Sequence, residues 1–172
     1  NIKKYKIILE PAKKNTGPAI LSSALINEIP NNQPIVFFSA DHLIYKVNTF
    51  YREITKNKKF LNDKNMFIFG VKPTSPSNQY GYFITKRKKK LNCVSKFIEK
   101  PNKSKAKNIM KKGGYWNSGI FFLRKDALIS NFIKFQKNIY KNSLQAVLKS
   151  KTKKNICYLN KKAFSQNPSK SF

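Results

Sequence analysis

The chain has 172 residues, 40% of them hydrophobic and 14 of them phenylalanine, so we expect one folded domain or a large piece of one, not a disordered basic tail. Its formal net charge is +29, yet only three of the 36 basic residues are arginine (Arg52, Arg87 and Arg124), and surfaces that read bases or clasp phosphates lean on the planar arginine fork. The lysines are mostly scattered and accompanied by abundant Asn, Ile and Phe, as A/T-rich coding produces, so the charge reads as solvated surface without a specific nucleic-acid partner.

No apolar run approaches the roughly 20 residues of a membrane span, and Ile7-Ile8-Leu9 is too short for a signal-peptide core. Cys93 and Cys157 give neither a metal-ligand spacing nor a disulfide framework. A cytoplasmic protein with reduced thiols and no membrane partner is the expectation.

In chain order, Ile7-Ile8-Leu9 reads as a strand ending at Glu10. Asn15-Thr16 supply capping oxygens and Pro18 suits a first turn, so a helix is expected to run on from Ala19 to Glu28. Pro30 to Pro34 is a loop, and Ile35 to Phe38 a buried strand ending at Ser39-Ala40-Asp41-His42. Val47, Phe50, Tyr51 and Ile54 fall at helical spacing. Met66 to Val71 is a strand. Tyr80 to Ile84 and Val94 to Ile98 are strands flanking the Lys86 to Lys90 run, in hairpin fashion. Asn102 to Lys112 is a helix stopped by Gly113-Gly114, Ile120 to Leu123 a strand, and Ala127 to Leu148 helical with breaks. From Ser150 the chain reads as loop. Apolar runs alternating with amphipathic segments indicate an α/β domain.

Only seven carboxylates occur, and three of them, Glu10, Asp41 and Glu99, follow apolar runs. Ligands of open α/β sheets bind beyond the carboxyl ends of strands, so these three are candidates to line one such edge. Each also has an ordinary reading: a helix-approach carboxylate for Glu10, a helix cap for Asp41, a solvated strand end for Glu99. Asp41 suits magnesium, which takes one or two carboxylates and fills its shell with water and phosphates. Lys100 can meet a phosphate as a point charge, and Glu99 can accept from hydroxyls. Asn117, in Trp116-Asn117-Ser118-Gly119, offers donor and acceptor together, as sugar hydroxyls require, and Gly119 permits close backbone approach. His42 is the only histidine and has no sequence neighbour suggesting zinc, so a structural role is expected. Nucleophile-elbow and P-loop motifs are missing, which leaves hydrolase and P-loop readings unsupported.

These residues resemble the bacterial mannose-1-phosphate guanylyltransferases, also called GDP-mannose pyrophosphorylases. The family stretch Glu-Pro-x-x-Arg-Asn-Thr-Ala-Pro-Ala-Ile is met by Glu10 to Ile20, with Lys14 for Arg and Gly17 for Ala. Pro-Ala-Asp-His becomes Ser39-Ala40-Asp41-His42. Pro73-Thr74-Ser75-Pro76, Tyr80-Gly81-Tyr82, Glu99-Lys100-Pro101 and Trp116-Asn117-Ser118-Gly119 match as they stand.

The resemblance implies a Rossmann-like nucleotide-diphospho-sugar transferase fold, a mixed and mostly parallel sheet flanked by helices. It implies GTP and mannose 1-phosphate as partners and Mg2+ as cofactor. Asp41 would take the metal, Lys100 the sugar phosphate, and Gly81, Glu99 and Asn117 the mannose. Glu10 with Asn15, Thr16 and Gly17 lies where related enzymes hold the base, and a carboxylate there would accept from the guanine N1–H and exocyclic amine.

The family's Gly-Gly-x-Gly-x-Arg loop and its second metal-binding Asp have no match here. The 172 residues are therefore expected to be a partial nucleotidyltransferase domain, truncated at both ends and inactive alone. Two alternatives remain: a related transferase using another NTP or hexose 1-phosphate, whose members tend to have Gln-Pro at the Glu10 position, and a non-enzymatic basic nucleic-acid-binding protein. Oligomeric state is not legible.

Overall fold

The computed structural model describes residues 4–26, 28–88 and 91–172. The chain runs β1 (Ile7–Leu9), α1 (Thr16–Ala24), β2 (Pro34–Phe37), α2 (Val47–Asn57), a 3-10 turn (Lys58–Phe60), β3 (Met66–Val71), β4 (Tyr82–Lys88) and β5 (Leu91–Ile98). It continues with α3 (Lys103–Lys111), β6 (Tyr115–Arg124), α4 (Lys125–Phe135), α5 (Lys137–Leu148), β7 (Lys151–Lys153), β8 (Ile156–Tyr158) and α6 (Lys161–Ser165). Two compact units form, each from separated stretches of chain: residues 1–35, 51–66 and 123–172, and residues 36–50 and 67–122.

In the first unit β8 is the middle of a three-stranded sheet, parallel to β1 and antiparallel to β7. Its apolar residues pack with α5 and α6: Ile26, Ala146, Cys157, Leu159 and Phe164 form one buried cluster, joined by Ile8 and Ala12 from the β1 region. Fully burying a side chain such as Phe164 is worth about 1.5–3 kcal/mol, so this cluster is what holds the three-residue strand β1 in place. The Lys125 ammonium, almost fully buried, donates to the carbonyl oxygens of Ile29 (2.6 Å) and Ile26 (3.5 Å), and burial lowers its pKa.

The second unit is organised by the hairpin β4–β5, which continues through β6. The strands run in the order β2-β6-β4-β5, with β3 also on β6. Tyr82, Ala106 and Ile109 are its buried centre, with Ile84, Ile98, Met110 and Trp116 around them. Ala106 and Ile109 stand three apart on α3 and so share the face turned to β4. Asn102 caps that helix by accepting from the Lys105 amide at 2.9 Å, worth about 1 kcal/mol. Gly113, at φ 72°, ends it. The Tyr82 hydroxyl donates to Ser77 O (3.1 Å) and accepts from Ser77 N (2.9 Å), which ties the loop after β3 to the start of β4.

The fold is α/β with mixed sheets flanked by helices, and several element boundaries differ from expectation. Helix α1 stops at Ala24, short of the expected Glu28, and beyond it the Ile29 amide donates to Ile26 O at 3.3 Å in a turn; Asn27, inside the span expected to be helical, lies outside the described residues. Strand β2 is half-buried instead of buried, and Phe38 is exposed beyond its end. Lys86 to Lys88 belong to β4 and pair with Leu91 to Cys93, so the hairpin is longer than expected; Lys89 and Lys90 lie outside the described residues. The chain after Ser150 is a small hairpin and a helix instead of loop. Strand β7 is polar and exposed throughout and is held by backbone pairing to β8, so apolar periodicity does not reveal it.

Candidate functional site

Strand register assembles the candidate sugar-binding residues. Tyr82 pairs with Ile98 on one side and with Trp116 on the other. One residue further along the same two ladders, Gly81 falls between Glu99 and Asn117. The Asn117 amide donates to Gly81 O at 2.8 Å, which fixes that row. Gly81 is buried at the centre of this row, Glu99 beside it is exposed and Asn117 half-buried, and neighbouring strands lie about 4.8 Å apart. The Glu99 carboxylate leans over Gly81: a Cβ on Gly81 would come 2.6 Å from Glu99 Oε2 and 3.1 Å from Phe97 Cζ.

The side chains around this row are partly engaged by the protein itself. Asn117 Oδ1 accepts from the Gly119 amide at 3.2 Å, inside a turn where Gly119 takes φ 72°. Trp116, next to Asn117 in sequence, lies 4.9 Å from the Tyr80 ring, centroid to centroid, and packs against the buried Tyr82 cluster, so aromatic packing is its role in the structure. Its indole Nε1 is buried with no hydrogen-bond partner among the described residues.

Lys100 follows Glu99 directly and is exposed, with a backbone φ of 41°. A left-handed conformation costs a non-glycine residue about 1–2 kcal/mol, a strain concentrated at the residue assigned to the sugar phosphate.

Asp41 lies in an exposed turn closed by the His42 amide donating to Ser39 O at 3.2 Å. Helix α2 begins six residues later, at Val47, so Asp41 is not its cap and the ordinary reading of that carboxylate falls away. The His42 ring reaches the Trp116-Asn117-Ser118-Gly119 segment, with Cε1 4.0 Å from the point where a Cβ on Gly119 would stand. Among the described residues no group of three His, Cys, Asp or Glu side chains converges to hold a metal. A single exposed carboxylate fits a magnesium ion that keeps water and substrate phosphates in its shell, and does not fit a metal caged by protein alone.

The candidate nucleotide-binding residues belong to the first unit. Glu10 ends β1 on the surface, and partial desolvation raises its carboxyl above the ordinary 4.5. Asn15 stands at the N-cap of α1, but its side chain does not cap the helix. Its backbone adopts φ 60° and ψ −173°, a region that is nearly glycine-only and costs about 1–3 kcal/mol. The side chain is aimed instead at the C-terminal segment, with Nδ2 donating to Ser169 Oγ at 2.8 Å. Thr16 Oγ1 accepts from the Phe172 amide at 2.9 Å, and the Gly17 amide donates to Lys170 O at 2.9 Å. The expected capping role of Asn15 and Thr16 is thus replaced by a contact with residues 169–172.

The nucleotidyl transferase family is matched over residues 2–163, nearly the whole chain. The chain belongs to that family. It is 36% identical over 163 residues to a mannose-1-phosphate guanylyltransferase of Escherichia coli, covering 88% of this chain and 34% of that protein. It is 31% identical over 172 residues to the xanthan biosynthesis protein XanB of Xanthomonas campestris pv. campestris, covering 99% of this chain and 37% of that protein. The chain therefore spans about a third of the length of the curated relatives it matches. Among solved structures, a Helicobacter pylori protein described as mannose-6-phosphate isomerase superposes with a TM-score of 0.85 at 27% identity, covering 99% of this chain and 67% of that one. A Thermus thermophilus protein described as mannose-1-phosphate geranyltransferase gives 0.78 at 20% identity, covering 95% and 47%, and bears on the fold alone.

Proposed function

We propose that this chain is part of the nucleotidyl-transfer domain of an enzyme that moves GMP from GTP to mannose 1-phosphate, giving GDP-mannose and pyrophosphate. The reading rests above all on the row Glu99, Gly81 and Asn117, which strand pairing sets side by side with Lys100 next to it. The relatives named mannose-1-phosphate guanylyltransferase supply the substrates.

An oxygen of the sugar phosphate, already ionised at neutral pH, attacks the α-phosphorus of GTP in line, and the bond to the β-phosphate oxygen breaks. No general base is needed, so positioning and charge neutralisation carry the reaction. Glu99 accepts from mannose hydroxyls, Asn117 meets another through its amide, and Gly81, having no side chain, leaves the Glu99 carboxylate its place beside the sugar. Lys100 neutralises the sugar phosphate. Asp41 would hold a magnesium ion, whose charge, when bound, offsets that of the phosphates. Glu10, on the surface beside the Asn15-Thr16-Gly17 turn in sequence, accepts the N1–H and exocyclic amine of guanine, donors that adenine does not present in that pattern.

Titration of the protein with mannose 1-phosphate and with GTP tests the assignment. Asn117→Ala is expected to weaken the first and spare the second. Equal loss of both ligands, or of neither, contradicts the sugar site.

A further inference from the structure

The Asn15-Thr16-Gly17 turn begins on a strained residue and is contacted by a distant segment. Asn15 sits in backbone territory that side chains avoid, and each of its turn's three residues is engaged by the last four residues of the chain: Asn15 by the Ser169 hydroxyl, Gly17 by Lys170 O, and Thr16 by the Phe172 amide. A return bond runs from the Lys170 amide to Lys14 O at 3.2 Å. The approach is close enough that a Cβ on Gly17 would lie 2.8 Å from Lys170 O, so no residue with a side chain fits at this position without a backbone shift.

This segment is itself anchored at both ends. Asn142 Nδ2, on α5, donates to Gln166 O at 2.9 Å, and Asn167 is buried beside Ser143 of the same helix. At the far end the Phe172 ring stacks on Phe132 of α4 with centroids 6.0 Å apart.

We propose that residues 169–172 are a strap that sets the nucleotide-binding turn, with Ser169 as the positioning residue that aims the Asn15 amide and Phe172 as the clasp that holds the strap down. The proposal rests on the assignment of Asn15, Thr16 and Gly17 to the nucleotide. The strap touches no substrate; it acts through Asn15 and through the Gly17 amide. A turn fixed by local sequence alone would survive loss of the strap. This one is over-determined from about 150 residues away, as a strained backbone requires if it is to persist.

The test uses Ser169→Ala, Ser169→Thr and Phe172→Ala, in the protein at the full length of its relatives. Amide hydrogen exchange is followed at Gly17 and Lys170, and GTP and mannose 1-phosphate affinities are measured separately. Phe172→Ala is expected to speed exchange at both amides while the α5 amides keep their protection. Ser169→Ala is expected to weaken GTP about five-fold, the worth of one neutral hydrogen bond, and to leave mannose 1-phosphate unchanged. Ser169→Thr keeps the hydroxyl and is expected to restore GTP affinity. Unchanged exchange in Phe172→Ala, or Ser169→Thr behaving like Ser169→Ala, overturns the strap. Faster exchange at Gly17 in a protein that binds GTP and ATP alike instead overturns the base assignment and leaves the strap standing.

Discussion

Replacing Gly81 by alanine separates the sugar site from the fold. No left-handed backbone conformation is recorded at Gly81, so alanine is allowed there, and the smaller entropy of its unfolded chain contributes about 0.4–1 kcal/mol of stability. Against this, the new methyl meets Glu99 Oε2 at 2.6 Å and Phe97 Cζ at 3.1 Å. Glu99 is exposed, and its carboxylate is the far end of a flexible chain, so it swings aside at small cost; Phe97, also exposed, gives by a few tenths of an ångström. The two effects nearly cancel. Stability should stay within about 1 kcal/mol, a shift in Tm of roughly 2–4 °C for a chain of this size.

Binding should respond far more. A displaced Glu99 forfeits a charge-assisted hydrogen bond to a sugar hydroxyl, about 1.5–3 kcal/mol, or roughly a 10- to 150-fold weaker mannose 1-phosphate affinity. Thermal unfolding followed by circular dichroism, paired with calorimetric titration of mannose 1-phosphate, reads both quantities. Unchanged affinity with unchanged Tm refutes the role of this row in holding sugar.

Other outcomes follow from the same assignments. Asp41→Asn keeps shape and loses charge, so turnover of the full-length protein should fall sharply at limiting magnesium while its melting curve stays put; parental rates at low magnesium contradict the metal assignment. Lys100→Ala should raise the KM for mannose 1-phosphate with little change for GTP, and relief of the left-handed lysine is not expected, since alanine is equally strained there; equal effects on both substrates point to misfolding. Glu10 binds its proton more tightly folded than unfolded, so its contribution to stability falls as pH rises through and above 4.5, and Glu10→Gln should flatten that part of the stability–pH curve. The preference for GTP over ATP, which needs the ionised carboxylate, should fade on acidification at a pH above 4.5; a preference constant with pH argues against Glu10 as the base reader.

What the sequence disclosed depended on whether chemistry and periodicity coincided. Met66 to Val71 was legible as a strand because its apolar run is bounded on both sides, and α3 because Asn102 and Gly113 mark its ends. The partnership of Glu99, Gly81 and Asn117 was visible as separate motifs, but only the ladders through Tyr82 bring them into one row. The Asn15-Thr16 pair reads in sequence as a cap because a cap is the usual use of those side chains; in the structure Asn15 has a positive φ and its side chain meets Ser169, a contact that no local pattern encodes. The polar strand β7 and the short helix α6 escaped for a similar reason, since backbone pairing and one buried Phe164 hold them, and neither leaves a periodic trace.

The central claim is tested most directly by product formation in the protein at the full length of its relatives, supplied with magnesium, GTP and one sugar phosphate at a time. GDP-mannose and an equal amount of pyrophosphate should appear with mannose 1-phosphate, and little of either should appear with glucose 1-phosphate or when UTP or dTTP replaces GTP. Nucleotide-sugar formed as readily from UTP or dTTP, or from glucose 1-phosphate, contradicts the guanylyl and mannosyl assignments; no pyrophosphate with any pair contradicts nucleotidyl transfer itself.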